Sequence, residues 1–342
     1  MTPLLDVQGV SKTFTVAGGL FDRARGTVRA LDDVSFTVPA GTTVGLVGES
    51  GCGKSTMGHV IMGGLSASGG QIMFDDPALG LTDLAKADEA TRRKTRLNMQ
   101  MIFQDPNSSL NPRMTLVDLI GEPLVVNGVM KGQALEERVA ELLEQVGLST
   151  RYLRRYPHAL SGGQRQRVVI ARALALNPRL VVADEPISAL DVSIQAQTLN
   201  LMKDLQAQRQ LTYLFIAHDL GVVNHFTDTT VVMYLGRVVE TGATHQIFRV
   251  PKHPYAEMLI GSVPRIGDKG TRQKPAVGEV PSAMNPPGGC HFHPRCPYAA
   301  DRCRTEVPAL RPMGDGRFAR CHFSETLTLA GMDGVPATRT VS

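Results

Sequence analysis

Residues Gly48-Glu-Ser-Gly-Cys-Gly-Lys-Ser55 stand between a short apolar run, TTVGLVG (Thr42 to Gly48), and a helical one. That succession constrains the fold more than any other feature of the chain: a buried strand must hand over, through a glycine turn, to a helix N-terminus. The glycines let successive backbone N–H groups face inward as an anion nest at the start of the helix. Gly48, Glu49, Ser50, Gly51, Cys52 and Gly53 line that nest, and Thr56 follows the Lys54–Ser55 pair. Lys54 would neutralise charge between β- and γ-phosphates, and the Ser55 hydroxyl would bind Mg²⁺. Cys52 reads as a small spacer inside the loop. The pattern predicts a nucleoside triphosphate site.

The surrounding sequence agrees with an α/β core. LNMQMIF (Leu97 to Phe103), LVVAD (Leu180 to Asp184), LTYLFIA (Leu211 to Ala217) and TVVMYL (Thr230 to Leu235) read as further buried strands. Helical patterns alternate with them; in QALEERVAELLEQVGL, Leu135, Val139, Leu142, Leu143 and Val146 share one face. Alternating strands and helices predict a mostly parallel sheet. From about Thr115 to Leu160 the pattern is helical without a convincing strand, as in a subdomain set into that core. From Val263 to Gly289 it is rich in Pro, Gly and charge and reads as a linker. With 42% apolar and 20% charged residues, general disorder is excluded. No apolar run approaches a membrane span, and the N-terminus lacks a secretory pattern, so a cytosolic chain is expected.

A second acidic element accompanies the loop. Leu180-Val-Val-Ala-Asp184 ends in a carboxylate suited to hold Mg²⁺ through water, and Glu185 follows at once, where it could orient or deprotonate the attacking water. The blander reading has Glu185 capping a turn. Between loop and carboxylates stands Leu160-Ser161-Gly162-Gly163-Gln164, another Gly-rich helix start and therefore a second anion site. One compact domain needs only one such site per triphosphate. With this motif the chain resembles an ATPase subunit of an ABC transporter.

The resemblance implies a P-loop ABC cassette with an antiparallel β subdomain, an inserted α-helical subdomain and a small C-terminal Cys-rich extension. It implies that Ser161, Gly162, Gly163 and Gln164 of one subunit cover the γ-phosphate held by its partner, so two subunits close on ATP. It makes Glu185, His218 (in IAHDL), Gln104 (in IFQDP) and Lys54 catalytic positions. Ser55, Gln104 and Asp184 would bind Mg²⁺, Asp191 would lie in the loop crossing the dimer interface, and Phe14 would stack on adenine. Taken alone, His218 is a polar end-of-strand residue, Gln104 means nothing, and Phe14 could be core; the set gives them weight. Ile187 stands where Thr is usual, with no expected effect on catalysis. The resemblance implies ATP hydrolysis.

The likeness narrows to the F-type ATPase of bacterial oligopeptide and dipeptide importers, a group used also for nickel, glutathione and opines. It is carried by VGESGCGKST, IFQDPNSSLNPRMT, YPHALSGGQRQR, ADEPISALDVSIQAQ, YLFIAHDL and VMYLGRVVE. An extended hairpin between Phe14 and Ala30 fits the same group. The implied division is an ATPase domain over 1–263, with its helical subdomain at about 105–165, and a C-terminal region over 264–342. Implied partners are a second ATPase subunit (a D-type paralogue, or a second copy), two permease subunits and, indirectly, an extracytoplasmic solute-binding protein. The contact with the permeases would lie near Gln104 and the helical insert, at the cytoplasmic face of the inner membrane.

Four of the five cysteines, Cys290, Cys296, Cys303 and Cys321, lie in the C-terminal region with spacing C-x5-C-x6-C-x17-C. In a cytosolic chain such a cluster reads as a metal or iron–sulfur site, and spacing alone does not choose between them. The resemblance favours a [4Fe–4S] cluster; zinc is the alternative, with His291, His293 and His322 as competing ligands, and so are unmetallated thiols. Charge is distributed to match: residues 1–264 balance 25 basic against 25 acidic groups, whereas 265–342 carry 11 against 7. Arg295, Arg302, Arg304 and Arg320 stand beside the thiols, where they would balance an anionic cluster. Nothing in the sequence ties this site to hydrolysis. A non-transport ATPase acting on nucleic acid is the rival, but the tail lacks interleaved basic and aromatic residues, so no nucleic-acid partner is expected.

Overall fold

The computed structural model describes residues 3–16, 26–263, 278–332 and 338–339. In chain order the first elements are β1 (Leu5–Val16), β2 (Gly26–Val38), β3 (Thr43–Val47), α1 (Lys54–Ile61), β4 (Gly69–Asp76), β5 (Gly80–Asp83), α2 (Glu89–Thr95) and β6 (Met99–Ile102). A helical stretch follows: α3 (Pro106–Ser109), α4 (Leu116–Val126), α5 (Gln133–Gln145) and α6 (Gly162–Leu174). Then come β7 (Leu180–Asp184), α7 (Val192–Arg209), β8 (Thr212–Ala217), α8 (Leu220–Phe226), β9 (Thr229–Tyr234), β10 (Arg237–Ala243), α9 (Thr244–Arg249) and α10 (Pro254–Gly261). The C-terminal region adds α11 (Asp301–Thr305), β11 (Arg311–Pro312) and β12 (Phe318–Ala319). The predicted strands all form, within two residues of their expected ends.

β1, β2, β4 and β5 make an antiparallel sheet in the order β2-β1-β4-β5. The larger sheet runs β11-β12-β10-β9-β3-β8-β7-β6, with β9, β3, β8, β7 and β6 parallel. All residues of β3, β7 and β8 are buried, as expected of parallel strands covered on both faces. Alternate side chains divide between two cores. Val47, Val181, Ala183, Tyr213 and Phe215 join the core under the helices, with Leu119, Leu142 and Val168. Val44, Leu46, Val182, Leu214 and Ile216 join the core under the antiparallel sheet, with Val7, Phe36, Phe74 and Met57. Leu142 and Leu143 contribute to the helix-side core as the spacing of α5 predicts, while Leu135 is only partly buried.

The register lines up the strand ends that matter. Val47 pairs with Ala217, and Asp184 with Ile216, so β3, β7 and β8 finish side by side at their C-terminal ends. Ligands in such sheets bind outside those ends. Among the described residues, no strand lies between Ile102 and Leu180. The C-terminal region is not a loose appendage: β12 pairs antiparallel with β10 through Glu240–Ala319 and Thr241–Phe318. Residues 17–25 of the expected hairpin and 264–277 of the expected linker lie outside the described residues; on either side of the first gap, β1 and β2 pair as far as Val16 and Gly26.

Candidate nucleotide site

Backbone geometry makes the loop between β3 and α1. Gly48 (φ 151°) and Gly53 (φ 105°) hold conformations that favour glycine. Neighbours forbid a side chain as well: a Cβ would lie 2.2 Å from the Met233 carbonyl oxygen at Gly48, and 2.4 Å from that of Ala30 at Gly53. No side chain caps α1, so its first N–H groups remain for an anion. The Lys54 ammonium, on a side chain only 5% exposed, donates to the carbonyls of Gly48 (2.8 Å) and Glu49 (3.1 Å). Cys52 is buried, and burial pushes its thiol pKa up, so it fills space as an uncharged group.

Three chain segments meet at the end of β7. Ser55 Oγ donates to Asp184 Oδ1 at 3.0 Å, putting two oxygen ligands side by side beside the loop. Burial raises the Asp184 pKa, and neighbouring Glu185 adds to this against the opposing pull of the Ser55 hydrogen bond, His59 and Lys54. Glu185 sits in the left-handed region (φ 46°), a costly conformation for a non-glycine residue, and its N–H donates to the Ile216 carbonyl at 2.9 Å. Its carboxylate receives Gln104 Nε2 on Oε2 (2.8 Å) and faces His218 Nδ1 across 3.2 Å from Oε1. Gln104, Glu185 and His218, each just beyond the end of a different strand, are thus brought together.

The signature segment is held differently. Ser161 and Gln164 form a reciprocal capping box, Gln164 N to Ser161 Oγ at 3.3 Å and Ser161 N to Gln164 Oε1 at 3.0 Å. Ser161 and Gly162 are exposed, and a Cβ on Gly162 would meet open space. A Cβ on Gly163 would lie 2.7 Å from Ile194 Cγ2, so this glycine lets α6 approach α7. Among the described residues, no hydrogen bond joins Ser161–Gln164 to the phosphate loop. Asp191 begins α7, and the preceding turn ties back to the site: Ser188 Oγ donates to the Glu185 carbonyl at 3.0 Å. Ile187 is buried and enters that turn through its carbonyl, which receives Leu190 N and Gln195 Nε2, so the turn needs no hydroxyl there. Phe14 is not core: it is 37% exposed on β1, with Lys12 Nζ 5.1 Å above its ring.

The four C-terminal thiols line one cavity together with Phe292 and Tyr298. Burial pushes Cys296 up to about 12 and Cys321 up to about 11, and the neighbouring thiols push in the same direction. Among the described residues, no group of three or more His, Cys, Asp or Glu is gathered closely enough for a single metal ion.

Two expectations about this region need correction. Three of the four arginines beside the thiols pair with carboxylates: Arg302 with Glu306 at 2.6 Å, Arg320 with Asp33 at 3.0 Å, and Arg295 as follows. Arg295 pairs with Glu49 of the phosphate loop at 2.6 Å, so the Cys-rich region does touch the nucleotide site. Tyr255 also touches it, its hydroxyl accepting the Glu49 N–H at 2.7 Å. Sequence reasoning missed both contacts, because partners 206 and 246 residues apart leave no local signal.

A glycine loop on a buried lysine, with a Ser–Asp pair and a Glu at the neighbouring strand tip, defines a P-loop nucleotidase. Comparisons with known proteins carry this further. The ABC transporter pattern matches residues 31–188, and that of the oligopeptide/dipeptide transporter C-terminal region matches 239–303. The chain is 47% identical to the oligopeptide transport ATP-binding protein AppF of Bacillus subtilis (strain 168), over 94% of this chain and 97% of that one. It is 44% identical to the dipeptide transport ATP-binding protein DppF of Haemophilus influenzae, over 94% and 96% of the two chains. Among solved structures it resembles the ATP-binding cassette MJ0796, in a dimeric post-hydrolysis state bound to ADP and Pi. That match has a TM-score of 0.61 and 29% identity, over 70% of this chain and 98% of that one. The chain belongs to the ABC transporter ATP-binding family, in the group with the oligopeptide/dipeptide C-terminal region, and is an ATP-hydrolysing subunit.

Proposed function

We propose that this chain powers the import of di- or oligopeptides across a bacterial inner membrane, as one of two ATPase subunits that close on ATP beneath two permease subunits. The carrying observation is the relatedness at 44–47% identity, over nearly the whole chain, to ATP-binding proteins named for oligopeptide and dipeptide transport. Among the described residues no helix is long and apolar enough to cross a membrane, so the reading requires separate permeases and a peripheral place at the cytoplasmic face. The solute-binding protein outside the membrane would select the peptide and contact this chain only through the permeases.

In this reading the division at residue 263 is functional: an ATPase domain over 1–263, its helical subdomain at about 105–165, and a C-terminal region over 264–342. The triphosphate lies in the Gly48–Thr56 loop, with Lys54 moving from the carbonyls of Gly48 and Glu49 to the phosphates. Ser55, Asp184 and Gln104 would hold Mg²⁺, which supplies charge neutralisation at the β- and γ-oxygens. The Ser55–Asp184 pair fits such an ion, because two oxygen donors converge beside the loop. Glu185 orients the attacking water and draws its proton, with Gln104 and His218 holding its carboxylate in place. Phe14 stacks on the base. Ser161–Gln164 of the second subunit, a D-type paralogue or another copy, close over the γ-phosphate, and Asp191 lies at the seam; Val192, 81% exposed beside it, suits an interface. Exposed Phe103, next to Gln104, suits the permease contact.

The C-terminal thiols would hold a [4Fe–4S] cluster. Four thiols lining one cavity are what supports this reading. Such a cluster would join four stretches of chain through their deprotonated thiols. Iron, sulfide and zinc analysis after anaerobic purification decides between cluster and zinc.

Peptide import is tested by deleting the gene and following uptake of labelled di- and oligopeptides. Loss restored by the wild type but not by Glu185→Gln is expected. Unchanged uptake of every peptide, with loss of another solute such as nickel or glutathione, would overturn the substrate assignment.

A further inference from the structure

Glu49 is the point at which the phosphate loop is tied to the rest of the chain, and three groups hold it. Its carboxylate receives two parallel bonds from Arg295, Nη1 to Oε2 at 2.6 Å and Nη2 to Oε1 at 2.9 Å. Its N–H donates to the Tyr255 hydroxyl at 2.7 Å, and its carbonyl accepts from Lys54 Nζ at 3.1 Å. The Arg295 side chain is 7% exposed, and its guanidinium carbon lies 5.9 Å from the ring centroids of both Tyr234 and Phe292. A planar two-bond pairing in a buried setting fixes orientation as well as distance.

Two consequences follow for a bound triphosphate. A carboxylate in the phosphate loop would repel the ligand, and Arg295 neutralises it. The N–H of Glu49 is committed to Tyr255, which leaves the ligand to Lys54 and the N–H groups at the start of α1. Arg295 also immediately precedes Cys296, and Phe292 lies in the wall of the cavity that the four thiols share.

We propose that Arg295 is a positioning residue for ATP, and that its pairing with Glu49 links the nucleotide affinity of the phosphate loop to the packing of the four-thiol region. The proposal rests on the placement of the triphosphate in the Gly48–Thr56 loop. The test is an equilibrium titration of the purified full chain with a fluorescent ATP analogue and Mg²⁺, with the unfolding midpoint of the nucleotide-free protein recorded for each variant. Arg295→Met weakens nucleotide binding about tenfold, a coupling of ordinary size between linked sites. Arg295→Lys weakens it several-fold, because an ammonium does not reproduce the two-bond fork. Tyr255→Phe, which keeps the ring and removes only the acceptor, weakens it by about two- to threefold. In the assembled transporter the loss for Arg295→Met appears in KM rather than kcat.

A lowered midpoint with unchanged affinity would make Arg295 merely structural and overturn the proposal. Should Arg295→Met not fold, unchanged affinity in both Arg295→Lys and Tyr255→Phe does the same. Lys54→Ala separates the two layers: if it binds nucleotide like the wild type, the placement of the triphosphate fails, not the positioning role. For the link to the thiols, Cys296→Ser is titrated in the wild-type and Arg295→Lys backgrounds. It weakens binding in the first and adds less in the second; fully additive effects, or none in the wild type, would overturn the link.

Discussion

Two helices of this chain begin on glycine-rich turns suited to an anion, and they begin in opposite circumstances. At α1 the turn is enclosed: Gly48 and Gly53 press against backbone carbonyls, Lys54 is buried, and Ser55 is already bonded to Asp184. At α6 the turn is open: Ser161 and Gly162 are exposed, and Ser161 with Gln164 cap the helix by themselves. In the proposed reading the first is the site at which this chain holds its own triphosphate. The second is a surface whose capping groups are satisfied within its own turn, and the proposed reading has it meet the nucleotide of another subunit. If the proposed function holds, the difference teaches that binding and turnover are separable, with binding built into one chain and turnover shared between two.

Four predictions test that contrast. Glu185→Gln breaks the enclosed site at its chemistry: turnover by the assembled transporter falls by about 10³-fold, while ATP binding persists, as phosphate release and nucleotide titration would show. Ser161→Ala attacks the open site. It lowers turnover by roughly 10²-fold but leaves the affinity of the isolated subunit for ATP within about twofold; a large loss of affinity would mean that α6 serves its own chain's nucleotide.

The third prediction concerns the mount of the enclosed site. His253 caps α10 by accepting the Tyr255 N–H at 3.0 Å, and burial pushes its pKa down to about 3. The unfolded chain takes up this proton below the ordinary histidine pKa while the native state refuses it, so the contribution of His253 to stability is lost as pH falls through that window. Between pH 6.5 and 5 the loss is roughly 2 kcal/mol. Buried Glu240, pushed up to about 7, has the opposite slope across much of the same range. The reading is therefore the difference in denaturant unfolding between wild type and His253→Asn, which caps without titrating; equal slopes would refute it. The smallest effect is at Phe14: Phe14→Ala weakens adenine nucleotide binding by about 1 kcal/mol, without changing kcat at saturation.

How much of this was legible beforehand depends on how local each feature is. The loop from Gly48 to Ser55 carries its own geometry in its glycines, and strands such as Leu180–Asp184 announce burial by being apolar throughout. The meeting of Gln104, Glu185 and His218 was legible through family resemblance, because no spacing along one chain reports that three strand ends share a level. Tyr255 and Arg295 were illegible by either route. Each looks ordinary in its own segment, and its partner is brought close only by the completed fold. Charge counting missed these pairings for the same reason. Arginines near the thiols in sequence find carboxylates such as Asp33 and Glu49 in space.

The pairing of β12 with β10 has one more consequence. A sheet must end somewhere, and an uncovered terminal strand is a template on which a neighbouring molecule can dock its own backbone. Here the long strand β10 is shielded by two short ones of two residues each, β12 and then β11, which give an intruder little to grip. Arg317, arriving with them, pairs with the fully buried Glu240 at 2.8 Å. A cassette trimmed to its ATPase segment would therefore expose β10 and strand Glu240 without its counter-charge, and such a fragment would clump rather than serve as a minimal motor.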